Sequence, residues 1–196
     1  VLLGIPACNG TPDPDSPANK KRTSEHLGDL VLRARANPDD PVPLREMVAA
    51  LNGKWTFGRA AACRALLELG PQAQSATPDL MRALDSHDFF VSREAARALG
   101  AVSQGLPDAV GPLTEKLTLT HLDVSGFAAE ALGNIGEPAV VAIPKLEVAA
   151  GSQSEQLSTA ARQALAKLRA IEAKRPRTTS PGQMKGQKKT SGTKDE

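Results

Sequence analysis

Apolar positions recur along this chain with two periods, one nested in the other. The short one is helical: Ala62, Ala65 and Leu66, or Ala95, Ala98 and Leu99, stand three and four residues apart, which places them on one face of an α-helix. The long one is 33 residues. Ala62, Ala95, Ala128 and Ala161 are in register, as are Ala65, Ala98, Ala131 and Ala164, and Leu66, Leu99, Leu132 and Leu165. A second series runs between them, with Ala76, Ala109 and Ala142 followed by Leu80, Leu113 and Leu146. Two apolar stripes per period predict two helices per unit. A fixed period predicts an array in which each unit buries its apolar face against its neighbours. The expected fold is all-α, a right-handed α-solenoid of helix-pair repeats.

First helices are predicted over 57–69, 90–102, 123–135 and 156–171, and second helices over 73–85, 107–118 and 139–149. Gly70-Pro71 and Gly136-Glu137-Pro138 mark turns inside units, because Gly accepts the left-handed conformation after a helix and Pro blocks its continuation. Asp85-Ser86-His87-Asp88 and Thr120-His121-Leu122-Asp123 supply caps for the helices that follow. Upstream, Leu27, Leu30, Val31 and Ala34 predict a divergent capping helix from Glu25, stopped by Asn37-Pro38. Leu44, Met47 and Leu51 stand one period before Thr77, Leu80 and Leu84, so they open the second helix of a degenerate first repeat. The repeat domain is expected over 25–173.

Several helical arrays share a period near this one, and motifs separate them. Tetratricopeptide repeats require Tyr, which this chain lacks. Thr77-Pro78 opens like an ankyrin signature, but Asp79 follows it. Three segments instead resemble the HEAT repeat in its short bacterial, phycobilisome-lyase-like form. They are Arg93-Glu94-Ala95-Ala96-Arg97-Ala98-Leu99-Gly100, Ala128-Ala129-Glu130-Ala131-Leu132-Gly133-Asn134-Ile135-Gly136 and Ala142-Ile143-Pro144-Lys145-Leu146. The resemblance covers about residues 44–170. Asp88 with Val91 and Arg93 also resembles the acid-to-base pair that links neighbouring HEAT units, although Gly126 stands at the Arg93 position of the next unit. The resemblance implies a concave surface lined by the second helices. It implies a binding role without naming a partner, because one fold hosts many activities.

Composition narrows the chemistry. Aromatics make up 3% of the chain, so its core must close with Ala, Leu and Val. Net charge is +2, but the segment from Lys174 to Glu196 carries seven Lys or Arg against two acids, leaving the remainder near −3. That segment is expected to be a basic disordered tail making weak, nonspecific contacts with anions; nucleic acid is not an expected partner. At the other end, Ile5-Pro6-Ala7-Cys8 resembles a bacterial lipobox, so residues 1–8 read as the remnant of a signal peptide with Cys8 as the lipidated residue. A Pro-rich linker is expected over 9–24. No apolar run approaches the length of a membrane span.

No catalytic or metal site is expected. His26, His87 and His121 form no zinc-spaced pattern, and no Gly-rich phosphate loop or nucleophile elbow occurs. His87, Asp88, His121 and Asp123 fall in equivalent loops and read as caps. Cys63, inside a first helix, reads as a core thiol. Four Phe and one Trp make poor walls for a tetrapyrrole, so a lyase-like enzyme with a bilin cofactor is a distant alternative. The candidate surface for an unidentified protein partner comprises Asp79, Arg82, Glu115, Lys116 and Lys145 on second helices, with Trp55, Phe57, Phe89 and Phe90 at the junctions. The expected function is a non-catalytic interaction scaffold tethered at the bacterial cell envelope. The alternatives are a cytosolic HEAT adaptor, the lyase and a nucleic-acid-binding HEAT protein. The register has a direct test: Leu99→Asp or Leu132→Asp should unfold the array by burying an unpaired charge, and full helicity in both variants would contradict it.

Overall fold

The computed structural model describes residues 16–118 and 122–174. Every regular element among them is helical: α1 (Pro17–Ala36), α2 (Pro41–Leu51), α3 (Thr56–Leu69), α4 (Thr77–Leu84), α5 (Phe89–Val102), α6 (Val110–Glu115), α7 (Leu122–Ile135), α8 (Ile143–Ala150) and α9 (Glu155–Lys174). The odd-numbered helices stack in sequence as one layer, α1 on α3, α3 on α5, α5 on α7 and α7 on α9. Each even-numbered helix packs on the odd-numbered helix that follows it, so the array is a solenoid of α-hairpins. All the in-register Ala and Leu positions are buried, in a single continuous core.

Small residues set the distance between odd-numbered helices. A Cβ added at Gly100 would stand 2.7 Å from Ala131 Cα, and one added at Gly133 would stand 2.9 Å from Ala164 Cα. The two contacts lie one period apart. Backbone meets backbone there, between α5 and α7 and again between α7 and α9.

The even-numbered layer differs from expectation. The helices predicted over 73–85 and 139–149 are each two pieces, a 3-10 stretch (Gly70–Ala76, Glu137–Ala142) and then a short α-helix, α4 or α8. Pro78 and Pro144 explain the break. Proline has no N–H and fits the first turn of an α-helix, so each marks the true α start. The helix predicted over 107–118 contracts to α6. Gly70 (φ 59°) and Gly136 (φ 85°) cap α3 and α7 as their spacing predicted. The equivalent residue in the intervening unit is Ser103, and there the chain turns at Gly105 (φ 74°), whose N–H donates to Ile135 O at 2.9 Å.

One position of the odd-numbered helices ties three of the units together, while its equivalent in α9, Ser158, bonds within its own helix. Arg59 Nε donates to Leu51 O (3.2 Å) and Ser92 Oγ to Leu84 O (2.7 Å). Ser125 Oγ lies 2.7 Å from Lys116 O and 2.6 Å from Thr118 O. These three residues are one period apart, and each takes up carbonyls left open where an even-numbered helix ends.

At the N-terminus, the linker expected over 9–24 gives way to helix from Pro17. Ser16 Oγ accepts from Asn19 N–H at 3.3 Å and Pro17 occupies the first turn, so the helix starts two turns before Glu25. The remainder of that linker, the lipobox with Cys8, His121, and the tail beyond Lys174 lie outside the described residues.

The glycines give opposite signs on substitution. Gly100→Ala should destabilise by about 1–3 kcal/mol, because the added methyl meets backbone and outweighs any gain in helix propensity. Gly111→Ala in α6, with nothing within 4 Å, should stabilise by about 0.5–1 kcal/mol. Denaturant unfolding of both variants measures this, and a stabilised Gly100→Ala would overturn the close-contact account.

Candidate functional site

The charged positions expected to form a binding face on the even-numbered helices are largely neutralised by one another. Arg82 forms an ion pair with Asp79, one turn away on α4, and Asn52 Nδ2 donates to the same Asp79 oxygen at 2.9 Å. Lys116 Nζ reaches Asp85 Oδ1 at 2.7 Å, linking the ends of α6 and α4. Glu115 and Lys145 are exposed. These side chains alternate in sign along the layer and do not converge.

The two aromatic pairs separate in role. Trp55 lies over the first turn of α3, with a ring atom 3.1 Å from where a Gly58 Cβ would be, and its centroid is 5.3 Å from that of Phe57. Phe57 is half-buried against the core, and Lys20 Nζ from α1 sits 5.7 Å from its ring. Phe89 and Phe90, in contrast, are 38% and 56% exposed, edge to face at 5.9 Å. Phe57 and Phe90 are equivalent by register. The first is covered by α1, and the second stays open.

Around Phe89 and Phe90 the structure assembles a group the sequence reading did not single out. Glu94 is 2% exposed and carries three guanidinium groups. Arg93 Nη2 reaches its Oε1 at 3.0 Å; Arg97 Nη1 and Arg64 Nε reach its Oε2 at 2.9 and 3.4 Å. Arg97 stands one turn along α5 and Arg64 projects from α3, so the carboxylate joins two units. The Arg93 guanidinium lies 5.8 Å from the Phe89 ring and 5.5 Å from Phe90, and that of Arg97 lies 5.4 Å from Phe127 on α7. The register carried a signal for this: Glu94 occupies the position held by Ala61, Phe127 and Ala160 in the other units.

Asp88 corrects one implication of the resemblance. It does not pair with Arg93. Its Oδ1 caps α5 by accepting from Phe90 N–H (2.9 Å) and Val91 N–H (3.4 Å), and its Oδ2 accepts from Thr56 Oγ1 at 2.8 Å. It links two units through a hydroxyl, while Arg93 turns to Glu94. His87 is exposed, and His26 Nε2 stands 3.6 Å from Glu46 Oε2 on the surface.

Cys63 is fully buried in α3, as a core thiol should be. Burial, reinforced by the Glu94 charge, pushes its thiol up from 9.0 to about 12. An unfolded chain therefore releases this proton first, so its contribution to stability is intact below about pH 9 and falls as pH rises toward 12. A Cys63→Ala variant should show a shallower alkaline loss of stability than the wild type, and native Cys63 should resist thiol reagents until the array unfolds. Identical alkaline profiles would contradict this.

Residues 44–124 match the family model of HEAT repeats. No curated protein matches the chain. Among solved structures, the chain is similar to the complex of CpcE and CpcF of phycocyanin lyase from Nostoc sp. PCC7120. That match has 22% identity and a TM-score of 0.64, over 88% of this chain and 71% of the other. It is also similar to an engineered protein solved by a structural genomics consortium, at 24% identity and a TM-score of 0.61, over 80% of this chain and 75% of that one. At these identities the likeness speaks for fold. The register and the helix pairing agree with that match: residues 44–124 match the HEAT-repeat family, and the described residues as a whole have the HEAT-repeat fold.

Proposed function

We propose that the chain is a non-catalytic protein-interaction scaffold, held at the bacterial cell envelope by a lipid on Cys8. The observation that carries the scaffold reading is the exposure of Phe89 and Phe90 on a close-packed array whose in-register Ala and Leu positions are buried. A ring left in water at a fixed place on a rigid frame is the usual anchor of a protein contact. Support for the tether is the residue pattern Ile5-Pro6-Ala7-Cys8 followed by a polar, Pro-rich stretch. The lyase reading draws only on fold likeness.

Three experiments test the proposal. Crosslinking in the native host should trap a partner with wild type and lose it with Phe89→Ser/Phe90→Ser; a partner retained by the folded variant would remove the surface from the reading. Absorbance that changes on incubation with a tetrapyrrole would favour the enzyme instead. For the tether, the natively expressed protein should enter a detergent phase and Cys8→Ser should not. If both stay aqueous, the anchor is wrong and a cytosolic adaptor takes its place.

A further inference from the structure

We infer that the surface around buried Glu94, formed by Arg64, Arg93, Arg97, Phe89 and Phe90, is a docking site for an acidic peptide segment that presents carboxylates beside an apolar side chain. The inference rests on the scaffold reading and names the chemistry of its partner. Three guanidinium groups meet one carboxylate, so the cluster carries two positive charges in excess. Each guanidinium has five N–H donors in a planar fork; Arg93 and Arg97 each donate one to Glu94, and Arg64 stands at ion-pair distance from it. Arg64 and Arg97 remain 48% and 40% exposed, so both side chains are open to a ligand. Planar forks of this kind suit carboxylates in two-point contact.

Glu94 also fixes the arginines in place. A buried carboxylate holding three long side chains reduces the rotamer freedom a ligand would otherwise have to remove, which favours binding at no cost in new contacts. Phe89 and Phe90, alongside Arg93, supply the apolar half of the surface. The charge excess is local. In the next unit Glu130 occupies the register position of Arg97, and the chain outside the basic tail is near −3, so the surface offers a spot for a short acidic segment and no basic track for a polyanion.

The probe is a short fluorescein-labelled peptide of alternating glutamates and leucines, compared with its glutamine counterpart and with a labelled single-stranded oligonucleotide of equal net charge. Fluorescence anisotropy at low salt, on the full chain, should show the acidic peptide binding at least about tenfold more tightly than either control. Arg93→Gln/Arg97→Gln should weaken it by about tenfold, Phe90→Ser should weaken it several-fold, and Arg33→Gln, at an exposed position on α1, should leave it unchanged. Circular dichroism checks that the variants fold, and Phe90→Ser, altered only at an exposed ring, keeps the test decisive if the double variant does not. No binding, equal binding of the glutamine peptide, tighter binding of the oligonucleotide, or full affinity in a folded variant would each overturn the inference. If the acidic peptide fails while native crosslinking still depends on Phe89 and Phe90, the scaffold stands and its partner is not acidic. If the peptide binds as expected but crosslinking is unaffected by those rings, the scaffold reading fails at this surface.

Discussion

Where α5 meets α7, Gly100 leaves no room for a side chain of its own against Cα and Cβ of Ala131, and one period later Gly133 meets Ala164 in the same way. This contact dictates much of the rest. Helices drawn that close leave room between the layers for Ala, Val and Leu, packed at the density of an organic solid, and not for rings. Four of the five aromatic residues lie at first turns and junctions, Trp55 and Phe57 at the start of α3, Phe89 and Phe90 at the start of α5, while Phe127 packs at the edge of the core from the second turn of α7. In α3 the position of Gly100 is held by Leu67, so the bare-backbone contact begins only with α5. An exposed aromatic pair is thus a corollary of how the core closes.

The other layer is held by different forces. Its helices are short, from six to eleven residues, too short to be stable alone. They persist because Leu80, Leu113 and Leu146 are buried against the odd-numbered helices and because the side chains at 59, 92 and 125 reach the open carbonyls at their ends. A buried hydroxyl that lost such a partner would be costly, so these bonds define where each hairpin closes. Arg59 achieves the same end by length, from a less buried site. The result is one rigid layer and one layer of clipped short helices.

Much of this was legible in the sequence, and the limits have physical causes. α3, α5 and α7 follow their apolar stripes to within a residue, because each buries a whole face, and α9 runs three residues beyond its predicted end. The even-numbered helices do not, because a stripe such as Ala76–Leu80 reads the same whether its first turn is α or 3-10. Pro78 and Pro144 held the missing information. The serine at 92 and 125 was in register yet invisible to a search for apolar repeats. The early start of α1 at Pro17 depended on Ser16 as a cap, outside any apolar pattern. Glu94 was hidden differently: a lone acid on a helix reads as solvated surface, and only the placement of Arg64 from the preceding unit shows it buried.

That burial asks for a reason beyond stability. Taking a carboxylate out of water costs several kcal/mol, and ion pairs of this sort commonly do no better than well-packed apolar residues of the same volume. The chain itself displays the apolar solution, with Ala61, Phe127 and Ala160 at the equivalent position of the other units. The array therefore did not need Glu94 in order to stack. What the carboxylate does, and alanine would not, is gather guanidinium groups from α3 and α5 beside the two most exposed rings of the described surface and hold them there. A charge retained where the fold offers a cheaper alternative is best explained by what it positions, and here it positions a basic, aromatic face at a junction the core leaves open.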